Sequence, residues 1–151
     1  MDNAFRYIEM TGGIDTEESY PYTGQDGPRC LFNASNIGGT DYGFADIEEG
    51  DEDALQSAVA REGPVSIAID ASQDSFQFYS SGVYSDPGCS STHLDHGVLV
   101  VGYGTDSDTH HDYWLIKNSW ATDWGEEGYI KIRRNHHNMC GVATDASIPL
   151  V

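Results

Sequence analysis

Between Val65 and Arg133 the chain carries five short apolar runs: Val65 to Asp70, Gly82 to Tyr84, His96 to Tyr103, Tyr113 to Lys117 and Tyr129 to Arg133, with Gly, Asp and Ser between them. Runs of this length, rich in β-branched and aromatic residues and bounded by turn formers, predict strands. In the last run Ile130 and Ile132 alternate with Lys131 and Arg133. That is the period of a strand with one buried and one wet face. The C-terminal half is therefore expected to be mainly antiparallel sheet.

Helices are expected at two places. From Asp2 to Met10 the spacing puts Ala4, Phe5 and Ile8 on one face, and Gly12-Gly13 follows where a C-cap belongs. Asp51-Glu52-Asp53 places negative charge at a helix start ahead of Ala54, Leu55, Ala58 and Val59, and Gly63-Pro64 ends that helix. Between the two, Ile14 to about Gly50 is rich in Gly, Pro, Tyr and acids, so regular structure there is expected to be sparse.

The 151 residues are 38% apolar and 11% aromatic. That composition suits one globular domain. The net charge of -18 comes from 25 acidic against 7 basic residues. Such a balance excludes the nucleic-acid binders. An acidic chain suits an acidic compartment, where carboxylates take up protons, and equally suits ordinary solubility. The longest apolar run, Val98 to Val101, is too short to cross a bilayer, and nothing after Met1 reads as a signal peptide. No membrane partner and no address are expected from the chain itself. Three cysteines leave one thiol without an internal partner in a secreted protein, or three free thiols in a cytosolic one.

Chemistry concentrates in two strings. Asp95-His96-Gly97 opens an apolar strand ending in Gly102-Tyr103-Gly104, and Tyr113-Trp114-Leu115-Ile116-Lys117-Asn118-Ser119-Trp120 follows. A histidine at a strand mouth beside glycine can exchange protons near neutral pH, although a structural histidine would look the same. Taken together with Trp124-Gly125 and Gly128-Tyr129, these strings resemble the histidine and asparagine blocks of the papain-like cysteine proteases. Met1-Asp2-Asn3-Ala4-Phe5, Glu17-Glu18-Ser19-Tyr20-Pro21-Tyr22, Gly63-Pro64-Val65-Ser66 and Cys140-Gly141-Val142-Ala143 extend the resemblance over the whole chain and to its cathepsin L branch.

The resemblance implies an α+β papain-like fold in part: residues 1–45 as the remnant of the helical domain, and 46–151 as the β-rich, barrel-like histidine domain whose C-terminal segment packs back toward the helical one. It implies cysteine-type endopeptidase activity without a cofactor. His96 would deprotonate the cysteine and later protonate the leaving amine, Asn118 would orient its ring, and Trp120 would shield their hydrogen bond. The family's usual glycine after that tryptophan is Ala121 here, a methyl added where the backbone needs latitude. The nucleophile's Cys-Gly-Ser-Cys-Trp-like segment and the oxyanion-hole glutamine are not found in these residues. A partial chain, inactive alone, is therefore expected, with exposed apolar surface that favours aggregation or partial unfolding. The resemblance also pairs Cys89 with Cys140, leaves Cys30 for an upstream partner, and so implies an oxidising compartment. Such a bridge stabilises by about 4 kcal/mol in the chain-entropy model.

By the same resemblance Met1, Ala71, Leu94 and Asp145 line the pocket for the substrate residue two before the cut, with Asp95 nearby. An acid at position 145 would let that pocket take arginine besides leucine or phenylalanine, arginine less well as acid neutralises it. Asn33-Ala34-Ser35 is an N-glycosylation sequon. The His110-His111 and His136-His137 pairs and His93 have no recognised metal spacing, and no metal is expected. Expected partners are peptide or protein substrates and propeptide or cystatin-like inhibitors, for a monomer that is lysosomal or secreted. Two other readings stay open: a silicatein-like protein with serine as nucleophile, which Asp95-His96-Gly97 fits less well, and a non-catalytic truncated homologue.

Overall fold

The computed structural model describes residues 1–151, which separate into two units, 1–45 with 149–151 and 46–148. In the first, α1 (Asp2–Thr11) ends where Gly12 turns left-handed at φ 77°, and the N–H groups of Gly12 and Gly13 donate back to the Glu9 and Ile8 carbonyls. A left-handed glycine of this kind satisfies carbonyls that the last helical turn leaves free. Phe5 and Ile8 are half-buried on this helix, but Ala4, expected on the same face, is exposed. β1 (Ile14–Asp15) pairs antiparallel with β2 (Ile37–Gly39), and a 3-10 turn, Ala34–Asn36, lies between them. β3 (Phe44–Asp46) leads into the second unit. Regular structure from 14 to 50 is sparse, and these short strands leave no trace in the sequence because backbone pairing, not apolar periodicity, makes them. Phe44 stacks on Phe5 at 5.8 Å between centroids, with the Arg6 guanidinium over its ring at 5.2 Å. Stacking and cation–π attraction thus stand in for a core in this unit.

The second unit begins with α2 (Glu52–Arg61), whose N-cap Asp51 accepts a hydrogen bond from the Ala54 N–H at 2.8 Å. The carboxylate thereby satisfies one of the donors a helix start leaves open. Leu55, Ala58 and Val59 are the buried residues of α2. Then come β4 (Val65–Ile69), the single helical turn α3 (Asp74–Gln77), β5 (Val83–Tyr84), β6 (His96–Thr105), β7 (Asp112–Lys117), β8 (Tyr129–Arg133), a 3-10 turn at Met139–Gly141, and β9 (Asp145–Pro149). Strands lie in the order β9-β4-β6-β7-β8-β5, antiparallel except for the parallel β5–β8 pair. β4 buries Val65, Ile67 and Ile69 and β8 buries Ile130 and Ile132. Both show the period-two pattern of one-faced strands. Trp114, Phe76 and Leu55 are the bulkiest fully buried side chains.

Polar contacts pin the loops to this core. The Glu52 carboxylate accepts from Trp114 Nε1 at 2.9 Å and from the Asn135 and Asn138 N–H groups at 2.7 and 3.1 Å. An ionised acceptor makes each of these bonds a strong one, and together they tie α2 to the turn after β8. Asp70, nearly buried, accepts from the Ser72 N–H and hydroxyl and the Ser90 N–H. Burial alone would raise its carboxyl, but those donors outweigh it and hold the group below the usual carboxylate range. Cys89 and Cys140 are joined in a disulfide across 51 residues of chain. No helix is long and apolar enough to cross a membrane.

Candidate active site

The β6–β7 register explains how the two strings meet. Val100 opposes Ile116 and Leu99 opposes Lys117, and both Val100 and Ile116 are fully buried. Side chains alternate along a strand, so His96 and Val98 continue the Val100 face, and Asn118 and Trp120 continue the Ile116 face. The last pair of the ladder is Leu99 opposite Lys117, and Asn118 and Trp120 follow directly after β7 ends. The candidate pair is thus the open end of the core-facing ladder, where β6 begins and β7 has just ended.

At that end His96 Nε2 lies 2.8 Å from Asn118 Oδ1. The amide oxygen has no proton to give, so it accepts the ring N–H. The same oxygen accepts the Ser119 N–H at 2.7 Å, so its orientation is fixed twice. Asn118 is only 8% exposed and its own N–H donates to the Gly128 carbonyl, which holds the residue as β7 ends. With Nε2 committed, Nδ1 is the ring nitrogen left for proton exchange. The Trp120 indole lies beside the imidazole at 5.0 Å between centroids, tilted 35°, and covers it while remaining 37% exposed.

Beneath both rings is Phe76, a residue no sequence feature singles out. It is fully buried on α3, meets His96 and Trp120 edge-on at 6.4 and 5.6 Å, and lies tilted by 36° against Trp124 at 5.3 Å. Edge-to-face contacts of this kind hold aromatic rings in defined orientations. Trp124 donates Nε1–H to the Gln77 carbonyl at 3.0 Å, locking α3 against the same cluster. Only the flanking Asp74-Ser75-Phe76-Gln77-Phe78-Tyr79 pattern could mark Phe76, and one helical turn carries too few residues for periodicity to show. Ala121, where the family's glycine is expected, sits at φ 67°. That is the left-handed region, sparsely used by residues with a Cβ.

Of the expected pocket residues, Leu94 is half-buried and Asp95 exposed, the latter accepting the Ala71 N–H at 2.8 Å while its own N–H donates to Ile69. Both line an open depression of about 710 Å³ together with Gln73 and His93. Asp145 opens β9, exposed, in register with Ala68 of β4, whose other neighbour is Gly97. Ala71 is not brought beside Asp145 by the ladder: it lies three residues past Ala68, buried beyond the strand end. Strand register therefore makes Ala68 the residue across from Asp145. Met1 belongs to the first unit as the N-cap residue of α1.

The remaining candidates lie elsewhere. Cys30 is an exposed free thiol in the first unit, held below its ordinary pKa by hydrogen bonds from the Phe32 backbone and the Tyr7 hydroxyl. The rings of His136 and His137 are 5.0 Å apart, and desolvation with the nearby Arg133 charge lowers the His136 pKa. No three His, Cys, Asp or Glu side chains are grouped so as to hold a metal ion.

A family model described as papain family cysteine protease matches residues 1–150. A cathepsin L of Sarcophaga peregrina is 64% identical over all 151 residues of this chain, which covers 44% of that protein. The procathepsin L of Mus musculus is 56% identical, with 100% of this chain and 45% of that protein covered. Among solved structures, a digestive procathepsin L 3 of Tenebrio molitor larval midgut superimposes with a TM-score of 0.93 at 48% identity, covering 100% of this chain and 48% of that one. The chain thus spans less than half the length of these relatives. Their names favour the cathepsin L reading over the silicatein-like one.

Proposed function

Since the chain belongs to the papain family of cysteine proteases, we propose that it carries the histidine and asparagine of a cathepsin L-type endopeptidase whose thiol lies outside these residues. The observation that carries this reading is the His96 Nε2 to Asn118 Oδ1 hydrogen bond under Trp120, which commits one ring nitrogen and leaves Nδ1 for a thiol.

Nδ1 takes the thiol proton and the thiolate adds to the scissile carbonyl. The imidazolium gives its proton to the leaving amine as the acyl-enzyme forms, then His96 draws a proton from the water that releases the acid. Asn118 keeps the ring aimed through both proton transfers. Asp145, exposed across from Ala68, supports acceptance of arginine besides leucine or phenylalanine two residues before the cut. The Cys89–Cys140 bridge supports an oxidising setting, lysosomal or extracellular. Peptide substrates, a propeptide like those of the procathepsins and cystatin-like inhibitors are the partners this reading proposes.

The test is to join this chain to a family segment bearing Cys-Gly-Ser-Cys-Trp and assay fluorogenic dipeptide substrates. Cleavage abolished by a thiol-directed epoxide supports the proposal, and a correctly folded joined protein without peptidase activity sinks it. Equal rates on arginyl substrates for Asp145→Ala and the unaltered protein would remove the specificity part alone.

A further inference from the structure

Asn33-Ala34-Ser35 is the one Asn-X-Ser/Thr triplet among the 151 residues, and all three residues are exposed. We propose that Asn33 is an N-glycosylation site, its Nδ2 accepting an oligosaccharide from a lipid-pyrophosphate donor in the secretory lumen. This rests on the reading above that the protein travels a secretory route.

The geometry separates the atoms the fold uses from the atom the modification uses. Asn33 is the N-cap of the Ala34–Asn36 turn, in extended backbone at φ -137° and ψ 111°. Its Oδ1 accepts the Ser35 N–H at 3.0 Å, and its own N–H donates to Asp15 Oδ2 at 3.0 Å. The oxygen thus does the capping. Nδ2 donates to no protein group. In the transfer, the bond from the anomeric carbon to the pyrophosphate oxygen breaks, a carbon–nitrogen bond to Nδ2 forms, the lipid pyrophosphate leaves with the electron pair, and Nδ2 gives up one proton. The amide oxygen is untouched, so the cap and the Asp15 contact survive modification. The sugar would also stand two residues from Leu31, an apolar side chain 55% exposed.

The experiment is translation of the full 151-residue chain behind a cleavable signal sequence with microsomes, scoring only signal-cleaved, protease-protected molecules. The expected result is one slower-migrating species, collapsed by a peptide amidase that leaves Asp at position 33. The shift should vanish in Asn33→Gln and Ser35→Ala and persist in Ser35→Thr. Protected chains without the shift overturn the site, because their translocation is already established. Glycosylated protected chains beside a native protein confined to the cytosol would overturn the secretory reading instead and leave Asn33 a competent acceptor.

Discussion

Residues 46–148 bury twenty apolar side chains, whereas residues 1–45 bury none, with only Gly13 and Asp41 withdrawn from solvent there. Each buried side chain of Val, Leu, Ile or Phe size contributes roughly 1.5–3 kcal/mol against exposure, so the second unit has a cohesive core and the first relies on aromatic and cation–π stacking, turns and hydrogen bonds. His96 opens β6 and Asn118 directly follows β7, strands whose Val100–Ile116 pair is fully buried. The proton-transfer geometry therefore inherits the rigidity of that core.

In the joined enzyme, His96→Ala should lower kcat/KM by roughly 10³-fold or more with an unchanged circular dichroism spectrum. A loss within tenfold would mean the rigid corner is not the catalytic one. Next, Phe76→Ala should cost roughly 3–5 kcal/mol in urea unfolding, while Phe5→Ala in the first unit should cost under about 1 kcal/mol. Equal costs would erase the contrast between the units. Reduction of the Cys89–Cys140 bridge should lower stability by up to about 4 kcal/mol, and alkylation of the exposed Cys30 should leave Tm unchanged. The smallest effect is local, at Ala121, a non-glycine residue held at φ 67°. Ala121→Gly should stabilise by about 1 kcal/mol through relief of that strain, read as a small rise in Tm.

The same contrast explains what can be read from the sequence. α2, β4, β6, β7 and β8 are made by side-chain burial, and burial leaves periodicity, so their positions are legible within a residue or two. β9 is not legible because Asp145-Ala146-Ser147-Ile148-Pro149 holds small and polar residues, and its place depends on β4, paired through Ser66 to Ser147. β1 and β2 are hidden for the same reason, and Ala4 is exposed against expectation because α1 has no fully buried face. At the site, His96 and Asn118 stand out because they sit inside the two long strings that carry the family resemblance. Phe76 and Ala68 do not, since one reaches the imidazole through a single helical turn and the other faces Asp145 only through strand register.

The second unit holds the His96 ring with Nε2–H directed to Asn118 and Nδ1 free. Long-range proton–nitrogen NMR of the histidine side chains in the folded chain, at a pH where the rings are neutral, measures this directly. The Nε2–H tautomer is expected for His96, with that preference lost in Asn118→Ala. An Nδ1–H tautomer in the unaltered chain would mean that Asn118 does not hold the ring.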